Sequence, residues 1–535
     1  MLRAIPSKRS IRWKLFPLIG VFFATLLSVK LLHVSVLQDE HTSIRQQDLL
    51  SLRILPEQRL EVRQVCADTC ESARNGVCED GSEANEREIK VLCDLGTDCS
   101  DCGPWTTEAP EGESLPKRNI EALNKQKIEL FVRETVTQPP FLMAYTDYEL
   151  DNDVSGQMHH VRIVEGGLTA LWKEPLERCC KVDPSRRGLV LDIGGNFGWY
   201  ALYAAKMGCR VVTWEPIPHY RDFLTYGVVA NNLTHLVEVR GKVVGLRSGE
   251  TYEMQAPEKG NWGVASINGH NILQHERRNL DKIHVLGERI DDVIDEEVCI
   301  FKADVEGFEA DVFDSAKELF KNNKVQHVFM EYTPGAWEGN NVSELFRLSD
   351  VLMNLLNTGY NIRHVPDRIS KRPWGDHEAL SLIEEENIKL DIQDLLDFQD
   401  NKLGCSKLSK ELFQKYTEMG FCHRFPHSAH PKSFRSEYFY NTNVWATKKE
   451  DDNMTADSVV GVLKPGEALS QYFSTTGFGI GGSICNDVLP IHKLISRCPC
   501  TDDSVCSEEE KIHYAGSETS WGVAAFPTDA SVVES

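Results

Sequence analysis

Residues 188–216 read GLVLDIGGNFGWYALYAAKMGCRVVTWEP. The apolar run Leu189–Ile193 predicts a buried strand, and Trp199–Met207 predicts a helix. A second strand is predicted over Arg210–Trp214 and ends at Glu215. The turn between the first strand and the helix is dense in glycine, which lets the backbone approach a ligand closely. This order of strand, glycine turn, helix and strand is the first unit of a nucleotide-binding α/β sheet.

The turn also indicates the charge of the ligand. A dinucleotide site has the pattern Gly-x-Gly-x-x-Gly and binds pyrophosphate at the helix N-terminus. Here Asp192 precedes the first glycine by two residues, and a carboxylate would repel a diphosphate. It suits a cationic ligand without phosphate, such as S-adenosylmethionine, which has an amino group and a sulfonium. Glu215 is placed to accept both ribose hydroxyls. The predicted cofactor-binding residues are Asp192, Gly194, Asn196, Gly198 and Glu215, and a dehydrogenase-type or flavin-type unit is the alternative.

Later strands end in acids as well. The apolar run Cys299–Ala303 leads into Asp304 and Glu306, and the run Val325–Met330 leads into Glu331. Ligands of an open α/β sheet bind beyond the carboxyl ends of its strands. We therefore expect these acids to meet Asp192 and Glu215 at one edge of the sheet.

Four segments together resemble the FkbM family of methyltransferases: LDIGGNFGWYALYAA (191–205), TWEPIP (213–218), KADVEGFE (302–309) and VFMEY (328–332). The resemblance covers roughly residues 188–332, and YNTNVWAT (440–447) resembles the closing strand of that family. It implies an α/β, Rossmann-like class I methyltransferase fold, with a seven-stranded, mostly parallel sheet whose last strand is antiparallel. It also implies S-adenosylmethionine-dependent O-methylation of hydroxyls, often on sugars or polyketides.

A sugar hydroxyl needs its proton removed as the new bond forms. In the fold that the resemblance implies, the strand end carrying Asp304 and Glu306 faces the methyl group, so these two acids are the predicted catalytic residues. The alternative is that Asp304 binds only the cofactor and that Glu306 caps the following helix. No metal ligand is assigned, although a divalent metal shared by the acids stays open. A histidine base is a further alternative, with the candidates His159, His160, His270 and His275.

The N-terminus carries a predicted membrane anchor. Residues 15–37 are mostly apolar and would span about 34 Å as a helix, against a bilayer core of about 30 Å. Basic residues precede the segment, so the tail 1–14 is predicted to be cytosolic and the body lumenal. The prediction is a single-pass type II protein of the Golgi or endoplasmic reticulum membrane, with a stem over 38–64. A cleaved signal peptide is the alternative.

The charge of the chain bears on its partners. The formal net charge is −23, and a body of this charge would be repelled by phosphate backbones. Nucleic acid is therefore not expected as a partner. Sequons at Asn232, Asn341 and Asn453 are compatible with a glycoprotein of the secretory pathway.

All 16 cysteines follow the predicted anchor, which predicts disulfides. Residues 65–104 hold six of them and few large apolar side chains, so this module needs crosslinks. The pieces at 75–78 and 95–99 resemble the small calcium-binding repeat of Notch receptors, although Cys102 departs from its pattern. The resemblance implies calcium bound by acids; zinc is the alternative. Adjacent Cys179 and Cys180 are each expected to bond elsewhere. The candidate calcium ligands are Asp80, Asp94, Asp98 and Asp101.

The remaining segments complete the predicted organisation. Residues 105–140 are predicted to be a linker followed by a helix at 120–132, and 161–164 a short strand. The methyltransferase domain covers 141–448 with an insertion at 364–435, in which an amphipathic helix or a lid is predicted. The tail 449–535 has no predicted role.

Two further classes of function compete with a membrane-anchored O-methyltransferase that acts on a glycan or glycoconjugate. One is a non-catalytic lumenal binding or scaffold protein with a degenerate methyltransferase fold. The other is a methyltransferase for small molecules, which would not need a Notch-like module.

Overall fold

The computed structural model describes residues 60–82, 84, 87–110, 120, 123, 126–180, 187–272, 279–337, 341–365, 390, 392–400, 405–407, 409–418, 422 and 442–448. Among these residues, no helix combines the length and the apolar character that a membrane crossing requires. The predicted cytosolic tail, the predicted anchor at 15–37, most of the stem and the predicted tail 449–535 lie outside the described residues.

The described part of the chain alternates strands and helices. Its strands are β1 Leu60–Val65, β2 Ile89–Val91, β3 Trp105–Pro110, β4 Leu130–Glu134, β5 Leu142–Tyr145, β6 Leu189–Ile193, β7 Arg210–Trp214, β8 Val237–Arg240, β9 Val243–Val244, β10 Thr251–Pro257, β11 Ser266–Ile267, β12 Leu280–Glu288, β13 Val298–Ala303, β14 Val325–Tyr332, β15 Tyr360–Val365 and β16 Thr442–Lys448. Its helices are α1 Cys99–Cys102, α2 Val154–Val161, α3 Gly166–Cys180, α4 Trp199–Lys206, α5 Pro218–Ala230, α6 Ile290–Val293, α7 Glu309–Ser315, α8 Lys317–Lys321, α9 Val342–Asn357, α10 Ile392–Gln399 and α11 Lys410–Glu418.

A seven-stranded sheet in the order β15-β16-β14-β13-β6-β7-β8 forms the centre of the molecule. β6 pairs in parallel with β7 and β13, and β13 pairs in parallel with β14. β16 runs antiparallel to both of its neighbours. The predicted mostly parallel sheet with an antiparallel closing strand is therefore confirmed.

Helices cover both faces of this sheet. Every residue of β6 and β13 is buried, as expected for strands between two helical layers. Alternate strand residues face opposite layers. Val190 packs in a core with α3, α4 and α5, whereas Leu189 and Leu191 pack in a second core with α7 and α9. The result is a three-layer α/β fold.

Two smaller sheets flank the central one. A four-stranded sheet has the order β11-β10-β12-β9, and a three-stranded sheet has the order β2-β4-β5. The second sheet corrects the helix predicted at 120–132: Ile120 and Leu123 are helical, but residues 130–134 form β4. Strand pairing on both sides, with Val132 opposite Ile89 and Ala144, outweighs the helical spacing of the apolar side chains.

Two further sequence predictions are wrong. The strand predicted at 161–164 does not form, since Val161 is the last residue of α2 and Arg162 after it has the left-handed φ of 59°. The linker predicted to follow the cysteine module begins with β3, which pairs antiparallel with β1 from the predicted stem. β1 precedes the module and β3 follows it, so the pairing of these two strands joins the two ends of the module.

The cysteine-rich module is crosslinked by the pairs Cys66–Cys99, Cys70–Cys93 and Cys78–Cys102. It is packed against the rest of the protein, since its strand β2 pairs with β4. The Tyr226 hydroxyl on α5 donates to the Asp80 carbonyl at 2.9 Å. Val91 and Leu95 belong to the same core as one face of the central sheet.

The remaining described cysteines are also paired. Cys179 bonds Cys299 and Cys180 bonds Cys209, so the prediction that the adjacent cysteines find separate partners is confirmed. Cys405 bonds Cys422 within the insertion. The cysteines after residue 448 lie outside the described residues.

The amphipathic helix predicted in the insertion is present as α10. Leu395 and Phe398 are buried, and Gln399 donates to Asp350 Oδ1 on α9 at 2.6 Å. This helix therefore packs on the outer layer of the sheet, and its residues do not line the cleft described below. The predicted lid stays a prediction.

Candidate functional site

A cleft lies at the carboxyl edge of the central sheet, where β6 has β7 on one side and β13 on the other. The chain leaves β6 in one direction along the sheet and later returns on the opposite side, and ligands of open α/β sheets bind at such a reversal. The empty space amounts to about 1120 Å³, the open mouth included. The residues that line it include Asp153, Gln157, Glu165, Gly194, Gly195, Asn196, Tyr200, Glu215, Lys242, Lys302, Asp304, Glu306, Phe308 and Glu331.

The glycine turn holds two strand ends together. Gly194 has φ 84°, and a Cβ placed there would lie 1.8 Å from the Asp304 carbonyl oxygen. No other residue could occupy this position without moving the end of β13. The Gly194 amide donates to the Trp214 carbonyl at 3.0 Å. The turn is therefore fixed between β7 and β13. Gly198, with φ 93°, packs on Leu224 and does not line the cleft.

Glu215 closes the other side of the turn. It is 4% exposed, and its Oε2 accepts the Asn196 amide at 2.8 Å. Its Oε1 accepts the Ile217 amide at 2.7 Å. Burial raises the pKa of this carboxyl to about 8, although the two amide hydrogen bonds oppose the shift. Each oxygen keeps a second lone pair for a ligand.

Asp192 lies beneath the turn rather than in the cleft. The strand register places it opposite Thr213 and Lys302. Its Oδ2 accepts the Thr213 hydroxyl at 3.3 Å, and its Oδ1 lies 3.6 Å from Lys302 Nζ. Burial raises the pKa of Asp192, whereas the charge of Lys302 lowers it. The predicted direct contact of Asp192 with a cofactor stays a prediction; its observed partners are protein groups.

Lys302 is a site residue that was not predicted from the sequence. Its Nζ lies 3.0 Å from Asp304 Oδ2 and 5.0 Å from the centre of the Tyr200 ring. Burial lowers the pKa of this ammonium, but Asp304 and Asp192 more than compensate and hold it above its usual value. Lys302 stands two residues before Asp304, so both point to one side of the extended chain, and that spacing could have identified it.

Three carboxylates form what we call the acid cluster: Asp304, Glu306 and Glu331. One oxygen of each lies within 4.8 Å of the others. The register of β13 with β14 explains the proximity, since Ala303 pairs with Met330. Burial first and neighbouring acids second raise the pKa of both Glu306 and Glu331 well above the usual range. Hard oxygen ligands in this number also suit a divalent cation.

Glu306 is held by a residue that lies far away in the sequence. It has φ 58°, and its Oε2 accepts a hydrogen bond from Asn271 Nδ2. Asn271 follows β11, and no motif around it predicted this role. The alternative that Glu306 caps the next helix is wrong. Instead Glu309 Oε1 accepts the Val305 and Gly307 amides at 3.2 and 3.1 Å.

A second wall of the cleft comes from the chain before β6. Asp153, Gln157 and Glu165 come from α2 and its flanking residues and line the cleft. The Tyr200 hydroxyl donates to Glu165 Oε2 at 2.6 Å. No sequence pattern predicted this wall, because nothing local links Glu165 to α4, which begins more than thirty residues later.

The candidate histidine bases lie elsewhere. His159 Nδ1 lies 3.0 Å from Glu88 Oε2, and its ring stacks on Tyr148 with 4.5 Å between centres. His160 contacts the same tyrosine. His270 stacks on Trp337 at 3.7 Å. None of these three lines the cleft, and His275 lies outside the described residues.

The acids of the cysteine module bond mainly to the module itself. Asp80 is fully buried, and its Oδ2 accepts the Gly96 amide at 2.6 Å. Asp98 Oδ2 accepts the Glu79 amide at 3.0 Å, while its buried Oδ1 has no hydrogen-bond partner. Burial raises the pKa of Asp98, and Asp101 and Asp80 add to the effect.

The sheet order, the glycine turn and the cleft at the strand reversal define an α/β fold of the methyltransferase type. Residues 192–362 match the methyltransferase FkbM domain, which confirms the resemblance in that part of the chain. The match includes Asp192 through Glu215, the acid cluster and Asn271.

Solved structures give distant matches. The methyltransferase FkbM from Methylobacillus flagellatus KT is 16% identical and has a TM-score of 0.21; the match covers 34% of this chain and only 40% of that one. An O-methyltransferase from Bacillus cereus in complex with SAH is 12% identical over 38% of this chain and 74% of that one, with a TM-score of 0.23. The O-methyltransferase TomG from Streptomyces achromogenes, in complex with SAM, is 11% identical over 38% of this chain and 73% of that one, with a TM-score of 0.22. No curated protein sequence matches the chain.

Proposed function

We propose that this protein is an S-adenosylmethionine-dependent O-methyltransferase that methylates a hydroxyl of a glycan or glycoconjugate. The proposal rests on the arrangement of three parts of the site. The glycine turn, Glu215 and the acid cluster line a single cleft at the strand reversal, inside the segment that matches the FkbM domain.

The cleft fits the cofactor in its donor and acceptor groups. Asn196 Oδ1 is buried without a hydrogen-bond partner, and Glu215 has free lone pairs beside it. Both accept hydrogen bonds, and the amino group and ribose hydroxyls of S-adenosylmethionine donate them. The acidic lining suits its positive charge. When bound, the cofactor supplies a methyl group on a sulfonium, which is electrophilic toward an acceptor oxygen.

The residues of the chain would orient the acceptor and remove its proton. Glu306 lies in the cleft wall with Asn271 fixing one oxygen, which leaves the other for the hydroxyl. A raised pKa makes a carboxylate a stronger base. Lys302 fixes Asp304 beside it. Positioning of this kind can lower a barrier by several kcal/mol.

The compartment is part of the proposal. We place the body in the lumen of the Golgi or endoplasmic reticulum, with the chain anchored as a single-pass type II protein by residues 15–37. Support comes from the basic residues before that segment and from the pairing of all twelve described cysteines, since disulfides persist in oxidising compartments. Protease treatment of sealed microsomes tests this topology. A protected body is expected, and digestion without detergent would contradict it.

Cofactor binding is tested by calorimetric titration of the detergent-solubilised full chain with S-adenosylmethionine. Glu215→Ala should weaken binding by tenfold or more, which is about 1.4 kcal/mol. The matched control is Glu318→Gln, because Glu318 is half-exposed, pairs with Lys321 and does not line the cleft. An intact protein that does not bind S-adenosylmethionine would leave the scaffold alternative.

The acceptor class is tested in cells. Glycans from cells that produce the protein are hydrolysed and searched by mass spectrometry for methylated monosaccharides. Cells that produce Glu306→Gln at equal levels serve as the comparison. Methylated sugars should be lost in the variant. If both samples lack them while methylated small molecules appear with the active protein, the small-molecule alternative replaces the glycan proposal.

We also propose a calcium site in the cysteine module. The support is two buried carboxylate oxygens, Asp98 Oδ1 and Asp101 Oδ2, neither of which has a hydrogen-bond partner. Carboxylate oxygens of this kind are calcium ligands. Binding of ⁴⁵Ca to the full chain, lost in Asp98→Asn, is the expected result, and equal binding by the variant would contradict it.

A further inference from the structure

The charges that line the cleft are unbalanced. Two cationic side chains, Lys242 and Lys302, line it among the described residues, against six acids. The six acids are Asp153, Glu165, Glu215, Asp304, Glu306 and Glu331.

Both lysines have ion-pair partners within the protein. Lys302 is 4% exposed and bridges Asp192 and Asp304. Lys242 Nζ lies 2.5 Å from Glu288 Oε1. Arg240 bonds the other oxygen of Glu288 at 2.8 Å and pairs with Glu238 as well. The two lysines in the lining of the cleft are therefore paired with acids of the protein.

The negative charge is concentrated where the acceptor would enter. The glycine turn and Glu215 occupy the cofactor side, whereas the acid cluster and Phe308 lie at the ends of β13 and β14. Within the acid cluster, three carboxylate oxygens lie within 4.8 Å of each other. Acidic side chains therefore outnumber basic ones in this part of the lining.

We propose that the acceptor presents no anionic group at its reacting end: the cleft takes a neutral or amine-bearing hydroxyl compound and rejects carboxylated, sulfated or phosphorylated ones. This inference rests on the proposed function and specifies its substrate class.

The physical reason is repulsion at short range. Two like charges a few ångströms apart repel strongly in a partly buried site, and like-charge juxtaposition is a common way to exclude wrong partners. Three carboxyl groups whose oxygens lie within 4.8 Å of one another make the local potential more negative with each proton that they lose. An anionic acceptor would add to that potential. Hydroxyl and ammonium donors would instead satisfy carboxylate lone pairs.

The experiment uses the solubilised full chain with radiolabelled S-adenosylmethionine and three glycan pools. The pools are neutral glycans released from membrane glycoproteins of the producing cells, acidic glycans separated from them by anion exchange, and the same acidic glycans after conversion of their carboxylates to amides. The last two pools have the same sugar skeletons and differ in charge, which makes them a matched pair.

We expect the amidated pool to accept methyl groups at least tenfold faster than the acidic pool at equal concentration. In Glu331→Gln this ratio should shrink by threefold or more, because one member of the acid cluster can no longer ionise. Glu318→Gln, which removes the same charge far from the cleft, should keep the ratio of the unaltered protein.

Equal or faster labelling of the acidic pool would overturn the inference while leaving the methyltransferase proposal standing. A ratio that is unchanged in Glu331→Gln would overturn the assignment of the selectivity to the acid cluster. Binding of S-adenosylmethionine without labelling of any pool would instead refute the glycan acceptor itself.

Discussion

The cysteine-rich module and the central sheet fix their backbones by different means. Within the described part of residues 66–102, the buried apolar side chains are Val91, Cys93 and Leu95, and three disulfides crosslink the segment. In the sheet, every residue of β6 and β13 is buried. Short segments with little apolar surface depend on crosslinks, whereas the sheet region combines two disulfides with extensive burial.

The difference explains where the candidate site lies. A parallel sheet brings the ends of strands that are distant in sequence to one edge, so the glycine turn and the acid cluster meet there. The module places its acids against its own amides, as at Asp80 and Asp98. The two regions nevertheless share a core and a strand pairing, and the following predictions test how far each depends on crosslinks and on burial.

The largest effect is expected for a crosslink inside the sheet region. Cys179 and Cys299 are separated by 120 residues, and closing a loop of that length stabilises a fold by about 5 kcal/mol in the chain-entropy model. The double variant Cys179→Ser/Cys299→Ser should lose that amount in urea unfolding. A loss below about 1 kcal/mol would show that burial alone holds the sheet.

The second largest loss of stability is expected when a side chain in the core of the sheet is truncated. Leu191 is fully buried in β6, and Leu191→Ala should cost about 4 kcal/mol because it removes apolar contacts and leaves a cavity. Leu286→Ala is the matched control, since Leu286 is 54% exposed; it should change stability by less than about 0.5 kcal/mol. Equal losses in the two variants would contradict the described core.

A crosslink of the module is expected to matter somewhat less. Cys70 and Cys93 are separated by 23 residues, which corresponds to about 3 kcal/mol. In Cys70→Ser/Cys93→Ser, hydrogen exchange should accelerate at β2 and leave the amides of the glycine turn protected. Faster exchange at Gly194 and Gly195 would show that the module also holds the cleft.

The buried acids predict a pH dependence of stability. The pKa of Glu215 rises from 4.5 to about 8 in the folded protein, so between these values the folded state binds more protons than the unfolded state. Its contribution is fully present below pH 4.5 and is lost as the pH rises toward 8, with a slope of at most about 1.4 kcal/mol per pH unit. Urea unfolding from pH 5 to 8 should show a smaller slope in Glu215→Gln. An identical slope would contradict the shifted pKa.

The smallest effect is expected where module and sheet meet. Tyr226→Phe removes the hydroxyl that donates to the Asp80 carbonyl and should cost about 1 kcal/mol. Tyr252→Phe is the control, because that hydroxyl bonds the exposed Glu250 at 3.3 Å. If Tyr226→Phe leaves both stability and exchange at β2 unchanged, this contact does not couple the regions.

The sequence predicted those elements whose signal is local. The strands β6, β7, β13 and β14 follow from apolar runs that end in acids, and Gly194 follows from a turn that admits no side chain. The antiparallel β16 followed from the family resemblance. Residues 130–134 were predicted to be helical because apolar spacing was considered without the partner strands, and those partners lie 40 residues before and about ten residues after them.

The site was predicted in part for the same reason. Glu215, Asn196, Asp304 and Glu306 line the cleft as residues at strand ends should. Glu165 and the second wall were not predicted, since they belong to a segment without a motif. Asn271, which donates to Glu306, was not predicted for the same reason. Asp192 was expected to face a ligand, but the pairing of β6 with β13 places it against Lys302.

The sequence by itself determined β6, α4, β7, β13 and β14, the glycine turn, the acids at the strand ends and the need for crosslinks in the module. All of these depend on residue type and on spacing over a few positions. Only the tertiary structure decided which acids share one cleft and which lysine pairs with an acid there. It also decided that the module packs into the core of the sheet region. Those outcomes depend on strand register and on contacts between residues 35 and 146 positions apart, which no local pattern encodes.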